Sequence, residues 1–259
     1  MGISIYKAGF RYTEWAFRDL TLRVEPGEIA AILGPNGRGK TTLLKAVLGL
    51  LPLEEGSVEH GGNPGYVPQS AQTVFAYKVI DMVLMGRARH VGAFGSPRRE
   101  DYEIARHCLD RLGIRRFENR LVTRLSGGER QLVLIARALA SGCRTILLDE
   151  PASALDFRNQ QVILDTLRSL AREHGMTVLF STHYPQHATC LADKVLLMQG
   201  AGSHQFGDTA QILTEENLRQ LYGIEMRSVE FTHNGSALRT FVPAFGFPDR
   251  DVEISRGVV

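Results

Sequence analysis

The sequence predicts an α/β fold, a parallel sheet flanked by helices, with an antiparallel β-subdomain at the N-terminus and a helical subdomain inserted into the core. Three observations predict it. Short apolar runs at residues 28–33, 145–148, 176–182 and 195–198 have the length and continuity of buried strands. The first runs straight into a Gly-rich loop that opens a helix, Gly34-Pro35-Asn36-Gly37-Arg38-Gly39-Lys40-Thr41. Between residues 72 and 124 the apolar residues recur at helical rather than strand spacing.

Residues 3–12, 15–24 and 27–33 read as three strands, with Glu25-Pro26-Gly27 as the turn before the third. The loop that follows fits G-x-x-x-x-G-K-[ST]. Its glycines let successive backbone N–H groups turn inward around a phosphate. The helix running on from Thr42 to Leu48, ended by Gly49 and Pro52, aims its positive end at the same point. Lys40 is then placed to bridge β- and γ-phosphates and the Thr41 hydroxyl to bind Mg²⁺. Arg38 stands where a small residue is more usual, and its cation is expected to point to solvent rather than to phosphate. A nucleotide held by its phosphates still needs a flat partner for its base. Phe10, Tyr12, Trp15 and Phe17 lie just upstream, and Tyr12 is the expected partner, with a half-buried strand aromatic as the alternative reading.

After a Gly- and Pro-rich stretch at 55–65, Tyr66-Val67-Pro68-Gln69 reads as a short strand ending in an amide suited to sensing a metal-bound water. Val79, Val83 and Leu84, then Ile104, Cys108, Leu109 and Leu112, carry helical spacing across the Gly-rich stretch 92–97. From Lys78 to Arg124 eleven Lys or Arg face six Asp or Glu, an excess compatible with lipid headgroups, an acidic partner or a solvated helical surface. Leu125-Ser126-Gly127-Gly128-Glu129-Arg130-Gln131 opens the next helix, with Ser126 and Glu129 at capping-box spacing and Leu132, Ile135, Ala136 and Leu139 as its apolar stripe. Two glycines and a serine hydroxyl at a helix N-terminus make a second phosphate-binding surface. The two surfaces belong to different subdomains, so two chains facing head to tail enclose a nucleotide more readily than one.

The strand at 145–148 ends in Asp149-Glu150. A carboxylate at the carboxyl end of a parallel strand beside a phosphate loop suits Mg²⁺ held through water, the Asp149 role, while Glu150, pointing elsewhere, can take a proton from the attacking water. Ser153-Ala154-Leu155-Asp156 leads into a helix through Gln161, Ile163, Leu164 and Leu167. The strand at 176–182 is followed by His183, and a histidine at that strand end can hydrogen-bond the γ-phosphate. His183 and His187 are four residues apart, but Pro185 between them argues against a shared metal. The tail over 224–259 is polar, with strand-like Phe231 and Phe241-Val242 and no legible chemistry.

Composition narrows the class. With 44% hydrophobic and 22% charged residues and a net charge of +2 over 259 residues, the chain is an ordinary globular protein without a polyanion-binding signature. Cys108, Cys143 and Cys190 form no C-x-x-C and read as small core residues of a reducing compartment. The N-terminus lacks the features of a signal peptide, and no stretch approaches the ~18 apolar residues of a membrane span. Work at a membrane is therefore expected through a partner.

Taken together, these residues resemble the nucleotide-binding subunit of ATP-binding cassette transporters over about residues 3–222. The stretch Leu125-Ser126-Gly127-Gly128-Glu129, between Gln69 and Asp149-Glu150 and with His183 beyond, is its most specific part. The resemblance implies a P-loop NTPase core using ATP and Mg²⁺, and an active homodimer. In it each ATP lies between one subunit's Gly34–Thr42 and the other's Ser126, Gly127, Gly128 and Glu129. It implies adenine stacking by Tyr12, catalytic roles for Glu150, His183 and Gln69, Mg²⁺ contact by Thr41, Gln69 and Asp149, and cross-subunit communication through Asp156. The implied organisation is an ATPase domain over 1–222, with 1–71 and 145–222 as RecA-like core plus β-subdomain and 72–144 as helical subdomain, and an extension over 223–259. Arg38, Ala152 and Tyr184 depart from the family pattern without removing a catalytic group. Phe75-Ala76-Tyr77, Asp81-Met82-Val83-Leu84-Met85-Gly86-Arg87, Asp101 and residues 109–113 are similar to importers of ferric siderophores, haem, vitamin B12 and molybdate. That implies a peripheral place on the cytoplasmic face of the inner membrane, two permease subunits, indirectly an extracytoplasmic binding protein, and no nucleic acid. An iron chelate is the first cargo expected, molybdate or tungstate the second. A soluble ATPase of the same superfamily, as in iron–sulfur assembly, is the rival class, disfavoured by single-cassette length and the importer-like 75–113 stretch.

Overall fold

The computed structural model describes residues 2–69, 76–92, 95–200, 202–233 and 235–245; Phe75, Ala93, Phe94 and the tail beyond Phe245 lie outside the described residues. Strands β1 (Ile3–Arg11) and β2 (Trp15–Val24) pair antiparallel. Strand β3 (Ile29–Leu33) leads through the phosphate loop into α1 (Lys40–Val47), and β4 (Glu55–His60) returns to pair with β1, giving the order β2-β1-β4. After β5 (Gly65–Val67) come the helices α2 (Val79–Leu84), α3 (Ala88–Val91), α4 (Arg99–Arg111) and α5 (Gly127–Ala140). The α/β alternation resumes with β6 (Thr145–Leu148), α6 (Phe157–Arg172), β7 (Thr177–Thr182), α7 (Pro185–Leu191) and β8 (Lys194–Gly200). Then follow β9 (Ser203–Asp208), α8 (Thr209–Ile212), α9 (Glu215–Tyr222) and a hairpin of β10 (Met226–His233) and β11 (Ser236–Pro243).

The central sheet has the order β5-β6-β7-β3-β8-β9, parallel throughout except for β9, which pairs antiparallel with β8. Strands β3, β6 and β7 are buried throughout and β8 over most of its length, which is why they read as unbroken apolar runs. Alternation along β3 divides the core. Ile29, Ala31 and Leu33 join a cluster with Ile135, Ile163 and Leu167 of the helical layer. Ala30 and Ile32 join a second with Leu43 and Leu44 of α1 and Ile3, Phe17 and Leu20 of the β-subdomain. Each such fully buried Leu or Ile contributes about 1.5–3 kcal/mol. The phosphate loop is thus clamped between two cores.

The helices of this region are tied to one another by a buried ion pair. Arg87 donates to Asp101 of α4 (Nε to Oδ1, 3.0 Å) and to the carbonyl of Ala140 at the end of α5 (3.1 Å), while Asp101 also accepts the Arg98 N–H. Both side chains belong to the stretch that carries the importer resemblance.

Several details differ from the sequence reading. Strand β3 starts at Ile29 rather than Gly27, because Gly27 takes a φ of +80° and the Glu28 carboxylate turns back to the Glu25 N–H. The last sheet strand is β9, not β8; Ser203–Asp208 is half-exposed and lacks an apolar alternation to announce it. Cys108 is a core residue as expected, but Cys190 is exposed, because it falls on the outer side of α7. Beyond residue 222, Met226 and Phe241 join the main hydrophobic cluster.

Candidate functional site

Gly37 and Gly39 take left-handed φ of +79° and +88°, and a Cβ at Gly39 would lie 3.0 Å from the carbonyl oxygen of Ala16. Helix α1 begins directly at Lys40 with no side-chain cap, so its first-turn N–H groups face the loop. The Lys40 ammonium is buried and held by three acceptors: the carbonyls of Gly34 (2.7 Å) and Pro35 (3.1 Å) and Oε1 of Glu150 (3.3 Å). Thr41 Oγ1 donates to Asp149 Oδ2 (2.6 Å), reaching across β7, whose Ser181 Oγ donates to Asp149 Oδ1 (2.6 Å).

Glu150 is the convergence point. Its backbone has a φ of +46°, a conformation that a non-glycine residue keeps only under constraint. The constraint is visible: Glu150 N–H donates to Ser181 Oγ (2.9 Å). Its side chain meets Lys40, His183 Nδ1 (Oε2, 3.0 Å) and Gln69 Nε2 (Oε2, 3.3 Å). Burial works to raise its pKa, but the neighbouring Ser153 side chain, Lys40 and His183 outweigh it and hold Glu150 below the usual carboxylate range. The Ser153 hydroxyl makes no well-formed hydrogen bond, so the ammonium of Lys40 is the cause that geometry supports most directly. Glu150 is therefore ionised at neutral pH.

A cleft of about 650 Å³ opens over these groups, lined by Tyr12, Asn36, Gly37, Gly39, Lys40, Thr41, Thr42, Gln69 and Glu150 among others. Tyr12 is 66% exposed, braced edge-on by Phe10 at 4.9 Å between centroids. The other aromatics are spoken for: Phe10 and Phe17 are buried, and Trp15 lies between the guanidinium groups of Arg11 and Arg18. Arg38 is exposed and does not line the cleft.

Ser126, Gly127, Gly128 and Glu129 do not line this cleft. They form the capping box that the sequence spacing announces, with Ser126 N–H donating to Glu129 Oε2 (2.8 Å) and Glu129 N–H to Ser126 Oγ (3.3 Å). Gly127 is exposed, while Gly128 abuts Asn159 of α6, leaving no room for a Cβ. Asp156 is the N-cap of α6, its carboxylate accepting from the Asn159 N–H and amide. Sequence reasoning missed Ser181, whose hydroxyl holds the Asp149 carboxylate and the Glu150 backbone N–H. A hydroxyl closing an apolar strand just before His183 was the available signal.

Pro185 is the first residue of α7, so His183 precedes the helix and His187 lies inside it, as the proline foretold. His187 is buried, with Nδ1 against Thr182 Oγ1 (3.2 Å) and Nε2 against Gln160 Oε1 (3.3 Å). The Thr182 hydroxyl accepts from the Tyr184 N–H, and the Gln160 amide nitrogen donates to Leu155 O. The network therefore suits a neutral imidazole carrying its proton on Nε2. Burial, helped by the charge of His183, pushes its pKa down to about 4. Folding then excludes a proton that the unfolded chain binds below its ordinary value. This contribution to stability is present in full above about pH 6.5 and lost as pH falls towards 4. Its full size is on the order of 3 kcal/mol. Denaturant melts at pH 7 and pH 5 are expected to show the loss, and His187→Gln to flatten it; an unchanged slope would contradict this assignment.

A phosphate loop after a central parallel strand, a hydroxyl–carboxylate pair beside it and an ionised glutamate held by lysine and histidine define a nucleoside-triphosphate hydrolase of the α/β class. The sequence matches the family described as ABC transporter over residues 17–153, and the chain belongs to that family as an ATP-hydrolysing cassette. It is 42% identical to the molybdate import ATP-binding protein MolC of Haemophilus influenzae, over 94% of this chain and 96% of that protein. It is 34% identical to the probable iron chelatin transport ATP-binding protein of Helicobacter pylori, over 88% of this chain and 96% of that protein. Among solved structures, a metal-chelate type ABC transporter in an inward-facing conformation matches with a TM-score of 0.91 and 42% identity, covering 94% of this chain and 98% of that one. No helix among the described residues is long and apolar enough to cross a membrane.

Proposed function

We propose that this chain is the ATPase subunit of an importer, and that two copies close head to tail on two ATP molecules to drive uptake of molybdate or a related metal species through a permease pair. The observation that carries this reading is the 42% identity to a molybdate import subunit over nearly the whole of both chains. Molybdate stands ahead of an iron chelate, at 34%, because the 75–113 stretch is similar to importers of both cargoes and does not separate them, whereas the identities over nearly full-length alignments differ.

In this reading Tyr12 stacks on adenine and the N–H groups of Gly34–Thr42 cradle the phosphates. Lys40 exchanges Glu150 for phosphate oxygens, and the released carboxylate accepts the proton of the attacking water, oriented by His183 and Gln69. Thr41 and Asp149, whose oxygens lie 2.6 Å apart, offer the hard ligands that suit Mg²⁺, with Gln69 as a neutral third. When bound there, Mg²⁺ neutralises charge building on the β- and γ-phosphates. Ser126, Gly127, Gly128 and Glu129 meet the nucleotide of the other copy, and Asp156 lies on the path between the two sites. Hydrolysis removes the γ-phosphate contacts and the dimer opens.

A groove of about 830 Å³ between residues 61–66, 85–90 and the end of α5 is the surface we assign to the permease. It is lined by Arg89, His90, Arg137 and Arg144 and, among the described residues, by no acidic side chain, which favours an acidic partner segment. Purification of the tagged protein from native membranes in mild detergent tests the reading: a many-spanning permease is expected to co-purify. Recovery only in the soluble fraction, with a cluster-assembly or ribosomal partner, would keep the ATPase and remove the transport function.

A further inference from the structure

We propose that Tyr222 is a positioning residue for His183, and that the segment from α9 to β11 serves as a brace fixing the end of β7 where the γ-phosphate is sensed. The inference rests on the reading of His183 as part of the ATPase site.

The tie is direct. Tyr222 Oη donates to the carbonyl oxygen of His183 (2.9 Å), 39 residues away in sequence. A second tie lies just beyond the Tyr184–Pro185 corner, where Gln186 Nε2 donates to the carbonyl of Phe241 in β11 (2.8 Å). The two bonds hold the chain on both sides of the corner that presents the imidazole to Glu150.

A brace is useful only if it is itself rigid. Helix α9 is closed at both ends, by Thr214 Oγ1 accepting from the Asn217 N–H (3.1 Å) and by Gly223, whose φ is +70° and whose N–H donates to Arg219 O (2.8 Å). Leu218 and Leu221 are buried, which fixes the rotation of the helix, and Tyr222 sits in its last turn. The hairpin is joined to the same helix by the Ser228 N–H donating to Glu215 Oε1 (2.7 Å), and is anchored by the buried Met226 and Phe241. Helix and hairpin therefore form one unit gripping the His183–Gln186 segment at two points.

The chemistry of the phenol suits a permanent donor. Burial, with the charge of Glu150 adding, raises its pKa, so the proton stays on through the working range. On the other side, the His183 ring packs against Tyr184, 4.1 Å between centroids. Tyr184, the residue that departs from the family pattern after the histidine, thus supports the ring while Tyr222 supports its backbone. Displacement of a catalytic group by a fraction of an ångström lowers turnover without altering substrate affinity, because nucleotide is held elsewhere, by Tyr12 and the phosphate loop.

The test is a double-mutant cycle on ATP hydrolysis by the full-length chain, using Tyr222→Phe, His183→Ala and the pair. Tyr222→Phe keeps the ring and its packing and removes only the donor. It is expected to lower kcat about fivefold with KM for ATP unchanged. In the His183→Ala background the same substitution is expected to change kcat less than about twofold, because the group it acts through is gone. A parent-like kcat for Tyr222→Phe, or an equal loss in both backgrounds, would overturn the brace while leaving the site reading intact. Parent-like turnover by His183→Ala would overturn both.

Discussion

Replacement of Glu150 by Gln is expected to leave ATP binding intact and to lower kcat by about 10²–10⁴-fold, with the closed, ATP-loaded dimer accumulating. The amide keeps the size and most of the hydrogen-bond geometry of the carboxylate, so the cleft should survive. What it loses is the capacity to take a proton, and the negative charge that competes with phosphate for Lys40 at 3.3 Å. Nucleotide affinity should therefore hold or rise while turnover collapses. Single-turnover hydrolysis measured beside equilibrium ATP binding separates the two, and turnover near the parent rate would remove Glu150 as the base.

Lys40→Ala should fail in the opposite way, at binding. The ammonium is the cation through which the phosphate loop would grip its ligand, and charge-assisted hydrogen bonds are worth about 1.5–3 kcal/mol each. The loss of ATP affinity is expected to be about 10²-fold. A second effect follows from burial, because Glu150 would then keep its charge with only His183 and Gln69 as partners, and breaking one side of a buried pair costs about 3–5 kcal/mol. Calorimetric titration with ATP and a denaturant melt report the two separately. Unchanged affinity would count against the phosphate role of Lys40.

The parts of this molecule legible from sequence are those whose chemistry is written in consecutive residues. The loop at Gly34–Thr41 needs its glycines and lysine at fixed spacing, and the capping box at Ser126 and Glu129 is a local geometric device, so both could be read without a fold. The exposure of Tyr12 was not legible: strand alternation allowed a half-buried aromatic there, and only the packing of Phe10 and Phe17 and the cation contacts of Trp15 show Tyr12 to be the one of its group left open. The meeting of Lys40, Gln69 and His183 on one carboxylate was not legible, since it depends on strand order β5-β6-β7-β3 and on the left-handed backbone of Glu150. Ser181 and Tyr222 were hidden because each acts through a partner far away in the chain. Strand β9 was hidden because an edge strand needs no strong apolar alternation.

The most direct measurement is ATP-dependent uptake into vesicles holding this chain, its co-purified permease and the cognate binding protein, comparing labelled molybdate with a ferric chelate. Molybdate accumulation that requires ATP and vanishes with Glu150→Gln is the expected result. ATP hydrolysis without accumulation of either cargo would contradict the assignment of this ATPase to an importer of metal species.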